Sequence, residues 1–391
     1  MPWLDAPVVK VLTGVRRCGK SVLLQQMRQE LIAQGVHPDR IVLINFESLA
    51  NEPLTDHQAL YQHLIEWAER GQGRPHIFLD EVQLVDRWER VVNSLRVDLD
   101  CDLVVTGSNA WLLSNDLAKL LTGRYVAFDV YPFSFAEYCD AFRAPRPANR
   151  LTDVFRSYLE LGGMPGVHEV EGTDAAMTYL RDVSNSILLK DVVARKKLRD
   201  VGLLERLLAF VMDNLGRPFS ARRVSAFLKS QRRSLGSETV YHYLHALTDA
   251  HLVHRASRYD VKGRRLLETQ EKYFLADHGF VHSWLGHRPD EVPGILENIV
   301  YLELRRRGYE VHIGKHDDLE IDFVADRAGR RLYVQVCYRL TPTALDREFE
   351  PLDAIADNHR KIVLSLDEEP SSNRNGVERH YLPEFLLDES W

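Results

Sequence analysis

The octapeptide Gly14-Val15-Arg16-Arg17-Cys18-Gly19-Lys20-Ser21 constrains this chain more than any other feature. It fits GxxxxGK[ST] and stands between an apolar run, VVKVLTG, and a helical pattern that opens at Ser21. Glycines in such a turn let successive backbone amides curl round an anion, and the helix that follows adds the partial positive charge of its N-terminus. Lys20 then reaches the outer phosphates, and the Ser21 hydroxyl is a ligand for Mg2+. The stretch from Gly14 to Val22 is the expected ATP-binding segment, with Lys20 also acting on the transferred phosphate.

The surrounding pattern supplies the sheet that such a loop needs. VVKVLTG (8–14), IVLINF (41–46), HIFLDE (76–81), DLVVTGS (102–108) and YVAFDV (125–130) read as buried strands. Ser21 to Gln34, Asp56 to Arg70, Asp86 to Val97 and Ala110 to Leu120 carry helical apolar spacing between them. Strands that alternate with helices predict a parallel sheet covered on both faces.

HIFLDE ends in two carboxylates, where a buried strand has few structural uses for them. Asp80 is the expected Mg2+ ligand, and Glu81 the base that orients and deprotonates the attacking water. The next strand ends in Thr106-Gly107-Ser108-Asn109, which places a polar side chain beside the γ-phosphate. Asn109 or Ser108 suits that role, and either also suits a helix N-cap. Arg124, in LLTGRYVAF, is a candidate for an arginine that completes a neighbouring subunit's site. An arginine in a Gly-Arg turn is also an ordinary surface residue.

These motifs, GVRRCGKS, HIFLDE, VVTGSNAWLL, LTGRY and YPFSFAEY, together resemble the AAA-type ATPases of bacteria and archaea that carry a C-terminal domain related to restriction-endonuclease folds. The resemblance continues through LGGMPGV, ILLKDVVARKKL, KYFLADHGF, LENIVYLELRRRGYEV, EIDFVA and YVQVCYRL, and so spans nearly the whole chain. It implies an α/β fold in which a P-loop AAA-type parallel sheet core (1–142) is followed by a helical connector (151–200), a winged-helix module (201–280) and a degenerate nuclease-like domain (290–391). It also implies ATP with Mg2+ as cofactors and a homo-oligomer with shared sites. Only about eight residues precede the first strand, where such proteins carry an extra helix that helps hold the adenine.

Charge is distributed unevenly. Residues 195–270 hold 16 Lys plus Arg against 7 Asp plus Glu, a net of +9 in a chain whose formal charge is −7. A basic module on an acidic chain is the pattern of a part that contacts double-stranded DNA. Helical stretches at Leu203 to Leu215, Ser220 to Lys229 and Ser237 to Asp249, then a hairpin through HLVHRASRYD and KYFLAD, follow the order of a winged helix-turn-helix. Arg222, Arg223, Lys229, Arg232, Arg233, Arg258, Lys262, Arg264 and Arg265 are its candidate phosphate contacts. The same basic face also suits a protein partner.

In the last domain Glu297 and Glu303 share a helix, Asp322 follows an apolar strand, and Gln335-Val336-Cys337 lies on the next. This resembles the restriction-endonuclease pattern, with Gln335 in place of an acid and Cys337 in place of a lysine. A neutral amide is a weak Mg2+ ligand and a thiol is no cation, so the expectation is a fold without cleavage. A lysine that migrated in, such as Lys315 or Lys361, would instead favour an ATP-gated nuclease.

Other chemistries find no support. The four cysteines, Cys18, Cys101, Cys139 and Cys337, form no CxxC pair, and the 16 histidines no HExxH spacing. No run reaches the roughly 18 apolar residues of a membrane span, so a cytoplasmic protein without a membrane partner is expected.

Overall fold

The computed structural model describes residues 3–4, 6–108, 121, 123–142, 151–196, 198, 200–220, 223–226, 236–369 and 371–391. Two compact units are present: Met1–Val130 with Asp249–His251, and Tyr131–Thr248 with Leu252–Trp391. Each is built round its own sheet.

The first unit contains all five expected strands: β1 (Val9–Thr13), β2 (Ile41–Asn45), β3 (His76–Asp80), β4 (Asp102–Gly107) and β5 (Tyr125–Asp129). They pair in parallel in the order β2-β3-β4-β1-β5. Alternation along each strand divides the core. Leu12, Phe78 and Val104 pack with Leu24, Met27 and Leu31 of α1 (Lys20–Ala33) on one face. Val11, Ile77, Leu79, Leu103 and Val105 pack on the other face with Leu60 and Leu64 of α2 (His57–Glu69) and Trp88, Val92 and Leu95 of α3 (Trp88–Asp98). Near the strand starts Lys10 is paired with Asp102, which also meets His76 Nδ1 at 3.3 Å. The helix predicted from Ala110 to Leu120 lies outside the described residues.

The second unit opens with α4 (Phe135–Phe142) and α5 (Leu151–Leu161). After the turn GGMPG (162–166) the helical spacing predicts one long helix from about Asp174 to Lys197; the structure has instead α6 (Thr173–Ser186), a π-helical stretch Ile187–Val193 and a last turn Ala194–Lys196. After α7 (Val201–Asp213) and α8 (Ser237–Asp249) come β6 (Val253–Asp260) and β7 (Arg265–Leu275). This hairpin does not stand apart. β6 pairs in parallel with β8 (Glu310–His316), and an eight-stranded sheet runs on through β9 (Leu319–Arg327), β10 (Arg330–Val336) and β11 (Arg360–Ser365) to β13 (Val377–Tyr381) and β12 (Ser372–Arg374). The helices α9 (Gly279–Leu285), α10 (Val292–Arg306), α11 (Pro342–Asp353) and α12 (Leu382–Leu387) complete the unit. α10 and α11 cover opposite faces: Phe323 meets Tyr301 of α10, while its neighbour Val324 joins Phe349 and Leu352 of α11.

The motifs LGGMPG and LADHGF meet in this unit. Gly162 adopts φ +77 and a Cβ there would overlap Asp277 Oδ1. Asp277 accepts hydrogen bonds from the amides of Gly163 (2.7 Å) and Gly279 (2.9 Å), and His278 Nε2 donates to the Tyr158 carbonyl (2.7 Å). Burial pushes the Asp277 carboxyl up to about 7, against the pull of the two amides. The folded state therefore holds a proton that the unfolded chain releases. The stability this represents is complete below about pH 4 and is lost as pH rises through about 7, roughly 4 kcal/mol at most. In urea unfolding, wild type should accordingly lose stability relative to Asp277→Asn as pH climbs from 4 to 8. Parallel pH profiles for the two proteins would show that Asp277 titrates normally.

Candidate active site

The phosphate loop joins the C-terminal end of β1 to the start of α1, and its glycines have physical reasons to be glycine. Gly14 has φ +151 and a Cβ there would overlap the Val130 carbonyl oxygen, while Gly19 turns into the helix at φ +108. Arg17 carries the third left-handed turn, at φ 65. Val15 and Cys18 are buried, and the Cys18 thiol donates to the Val130 carbonyl at 3.2 Å. Burial pushes that thiol's pKa up, so it stays protonated. Arg16 pairs with Glu47 at 3.1 Å, Arg17 and Val22 face solvent, and Ser21 is half-buried at the helix start. Lys20 is buried, and its ammonium donates to the carbonyls of Gly14 and Val15, both at 3.0 Å. Phosphate oxygens are stronger acceptors for the same donors.

Strand order brings the carboxylates to this loop. β4 lies between β1 and β3, so Thr106 and Ser108 at its end stand between the loop and the acidic pair. The Thr106 hydroxyl donates to Asp80 Oδ1 (2.5 Å) and accepts from the Glu81 amide (3.0 Å). Asn45, at the end of β2, donates to Asp80 Oδ2 (2.9 Å), and Gln83 donates to the Glu81 carboxylate. Glu81 itself is in the left-handed region at φ 55, a conformation that costs a non-glycine residue of order 1 kcal/mol or more and that concentrates at functional positions. Thr106, Asn45 and Gln83 were not singled out in the sequence. Strand-terminal polar residues are the signal that marks them, but which carboxylate each meets depends on strand order.

Oxygen donors from Ser21 and Asp80 fit a hard cation, and each Asp80 oxygen keeps a lone pair beyond its present hydrogen bond. Backbone amides of a glycine loop at a helix N-terminus fit a polyphosphate. Asn109 lies outside the described residues. Arg124 is exposed just before β5, where its carbonyl accepts from the Val9 amide (3.0 Å). Because β5 runs parallel to β1, Arg124 is at the far end of the strand from the loop, six residues or roughly 20 Å from the level of Gly14 at 3.3 Å per residue.

Three of the five described basic candidates in the second unit lie beside carboxylates. Arg258 lies 3.8 Å from Glu320, Lys262 is 3.0 Å from Asp317, and Arg265 is 4.0 Å from Asp260. Arg223 and Arg264 are exposed, while Arg222, Lys229, Arg232 and Arg233 lie outside the described residues. On α10, Glu303 turns to Arg307 (2.7 Å) and Arg306 (3.3 Å), whereas Glu297 joins Asp322 round Lys272. Cys337 packs with the apolar core beneath α11, and Lys361 donates to the Ile355 carbonyl.

A phosphate loop after β1, an acidic pair after β3 and β4 between them define a P-loop core. The model for the AAA domain matches residues 7–139, and that for a domain of unknown function, DUF8612, matches residues 152–291. The chain is 37% identical to an uncharacterized protein of Haemophilus influenzae, over 98% of this chain and 95% of that one, and it belongs to that protein's family. It is also 26% identical to the uncharacterized protein MJ1544 of Methanocaldococcus jannaschii, over 98% of this chain and 88% of that one. The Aeropyrum pernix Orc1 protein, solved in complex with DNA, is 14% identical over 72% of this chain and 87% of its own, with a TM-score of 0.30. Among the described residues no helix is long and apolar enough to cross a membrane.

Proposed function

We propose that this protein hydrolyses ATP and uses the turnover to change the conformation of a DNA- or partner-binding C-terminal region. The observation that carries the reading is the Thr106 hydroxyl, bonded at once to the Asp80 carboxylate and the Glu81 amide, on the strand next to the phosphate loop. In this reading the loop amides and Lys20 hold the phosphates, while Ser21 and Asp80 hold Mg2+. The metal supplies positive charge against the phosphate oxygens. Glu81 takes the proton of the attacking water, its backbone held by Thr106 and its carboxylate steadied by Gln83. Phosphate release measured with and without Mg2+, and with and without double-stranded DNA, tests the whole reading. Absence of both nucleotide binding and Mg2+-dependent hydrolysis would end it.

Self-association follows from Arg124, which is too far from its own chain's loop to serve it. We assign it to a neighbouring subunit's site. Arg124→Ala and Glu81→Gln subunits, each inactive alone, should recover partial turnover on mixing, because a hybrid interface joins one intact arginine to one intact base. A monomer with full activity, seen by mass measurement during turnover, would rule this out.

The net charge of the basic segment supports DNA as the partner. Replacing Arg232 and Arg233 by Glu should weaken binding to every sequence and flatten the slope of log K against log salt by ~1–2 units, about 0.9 per phosphate contact. Binding indifferent to both salt and this substitution would favour a protein partner.

A further inference from the structure

The acidic centre of the eight-stranded sheet is built round a lysine that comes from neither Lys315 nor Lys361. Lys272, on β7, is almost wholly buried, and its Nζ lies 2.9 Å from Glu297 on α10, 3.0 Å from Glu320 and 3.6 Å from Asp322 on β9. Arg258 approaches the other Glu320 oxygen at 3.8 Å. An ammonium has three donors, and three carboxylates converge on this one. Carboxylate oxygens hold divalent ions at about 2.0–2.6 Å. An ion shared by these three acids would therefore need the volume that Lys272 Nζ fills.

The surroundings agree. Asp322 Oδ2 accepts from the Val336 amide (2.8 Å), so that carboxylate also ties β9 to β10. Gln335 accepts from the Asp322 amide (3.3 Å) and donates to Glu348 (3.2 Å), joining its neighbours without adding charge to the centre. Among the described residues no group of three or more His, Cys, Asp or Glu is arranged to hold a metal ion. Asp322 is buried and Glu297 nearly so, with Glu320 half-buried at the rim; carboxylates held there need a cation beside them, and Lys272 supplies it.

We propose that Lys272 is the resident cation of this centre, its ammonium standing where a divalent metal would otherwise bind, so that the domain holds no catalytic metal and cleaves no phosphodiester. The lysine is a positioning residue that fastens α10, β7 and β9 together. A cavity of about 290 Å3, with Gly216, Arg217 and Glu291 in its wall, touches this centre at Glu297.

The test is Mn2+ binding and thermal unfolding of the full chain without nucleotide, in wild type, Lys272→Met and Lys272→Ala. Wild type should hold no ion that depends on Asp322, and Mn2+ should shift its unfolding temperature no more than that of Asp322→Asn. Both lysine variants should unfold at lower temperature and recover with Mn2+. Their Mn2+ affinity should exceed that of wild type by ~100-fold or more, since the like charge that fills the ion's position is gone. Adding Asp322→Asn to Lys272→Met should abolish that gain. An Asp322-dependent ion in wild type, failure of Mn2+ to rescue either variant, or Mn2+-dependent oligonucleotide cleavage lost in Lys272→Met would overturn the proposal. The last result would make Lys272 a catalytic residue.

Discussion

Replacing Glu81 by Gln is expected to slow ATP turnover on the order of 10^2-fold or more while nucleotide binding persists, the usual consequence of losing a general base. The substitution keeps size and leaves the left-handed backbone at φ 55, the Thr106 bond to the Glu81 amide and the Asp80 contacts in place. Only the capacity to accept a proton changes. Lys20→Ala is the contrasting variant: it removes the buried ammonium that caps the loop, so nucleotide binding itself should weaken. The two variants therefore separate in a binding assay, Glu81→Gln near wild type and Lys20→Ala well below. Turnover by Glu81→Gln at the wild-type rate would show that another group takes the proton and would remove Glu81 from the mechanism.

The largest structural effect is expected at Gly163. Its Cα hydrogen faces the Phe133 carbonyl, and a Cβ would overlap that oxygen. The neighbouring atom is backbone, not the end of a flexible side chain, so the strain has no cheap relief. The Gly163 carbonyl also accepts from the Phe133 amide (2.8 Å), and its own amide donates to buried Asp277. Moving the turn to admit a methyl group would lengthen both bonds. Gly163→Ala should destabilise the second unit by about 3 kcal/mol or more, at the upper end of overpacking effects, as a lowered urea midpoint at unchanged slope. A loss below about 1 kcal/mol would mean that the segment round Phe133 shifts freely.

The first sheet was legible in the sequence because each strand is a short apolar run with both faces buried, and the helices between them follow a different period. Five strands were expected and five pair in parallel. The long helix after the GGMPG turn was read as uninterrupted, since a π-helical stretch keeps much the same apolar spacing as the helix that contains it. The stretch from Asp367 to Gly376 reads in sequence as a loop before a final short segment, yet it contributes the edge strand β12, which pairs with β13. Neither carries strand periodicity of its own: β12 is the tripeptide Ser-Asn-Arg, and β13 sets three polar residues between Val377 and Tyr381.

Local sequence determined the phosphate loop and the acidic pair. Their function depends on backbone conformation over a few successive residues, and glycine, lysine, serine and paired carboxylates at fixed spacing specify that conformation without distant help. Tertiary structure alone decided the partners. β4 falls between β1 and β3 because of sheet order, and that order puts Thr106 on Asp80 and Glu81, brings in Asn45 from β2, and leaves Arg124 at the opposite end of β5. Likewise Lys272 precedes Glu297 by 25 residues and Asp322 by 50, yet pairing of β6 with β8 and packing of α10 across the sheet set all three round one point. Contacts between residues so far apart are fixed by strand register and helix placement, which are properties of the folded chain as a whole.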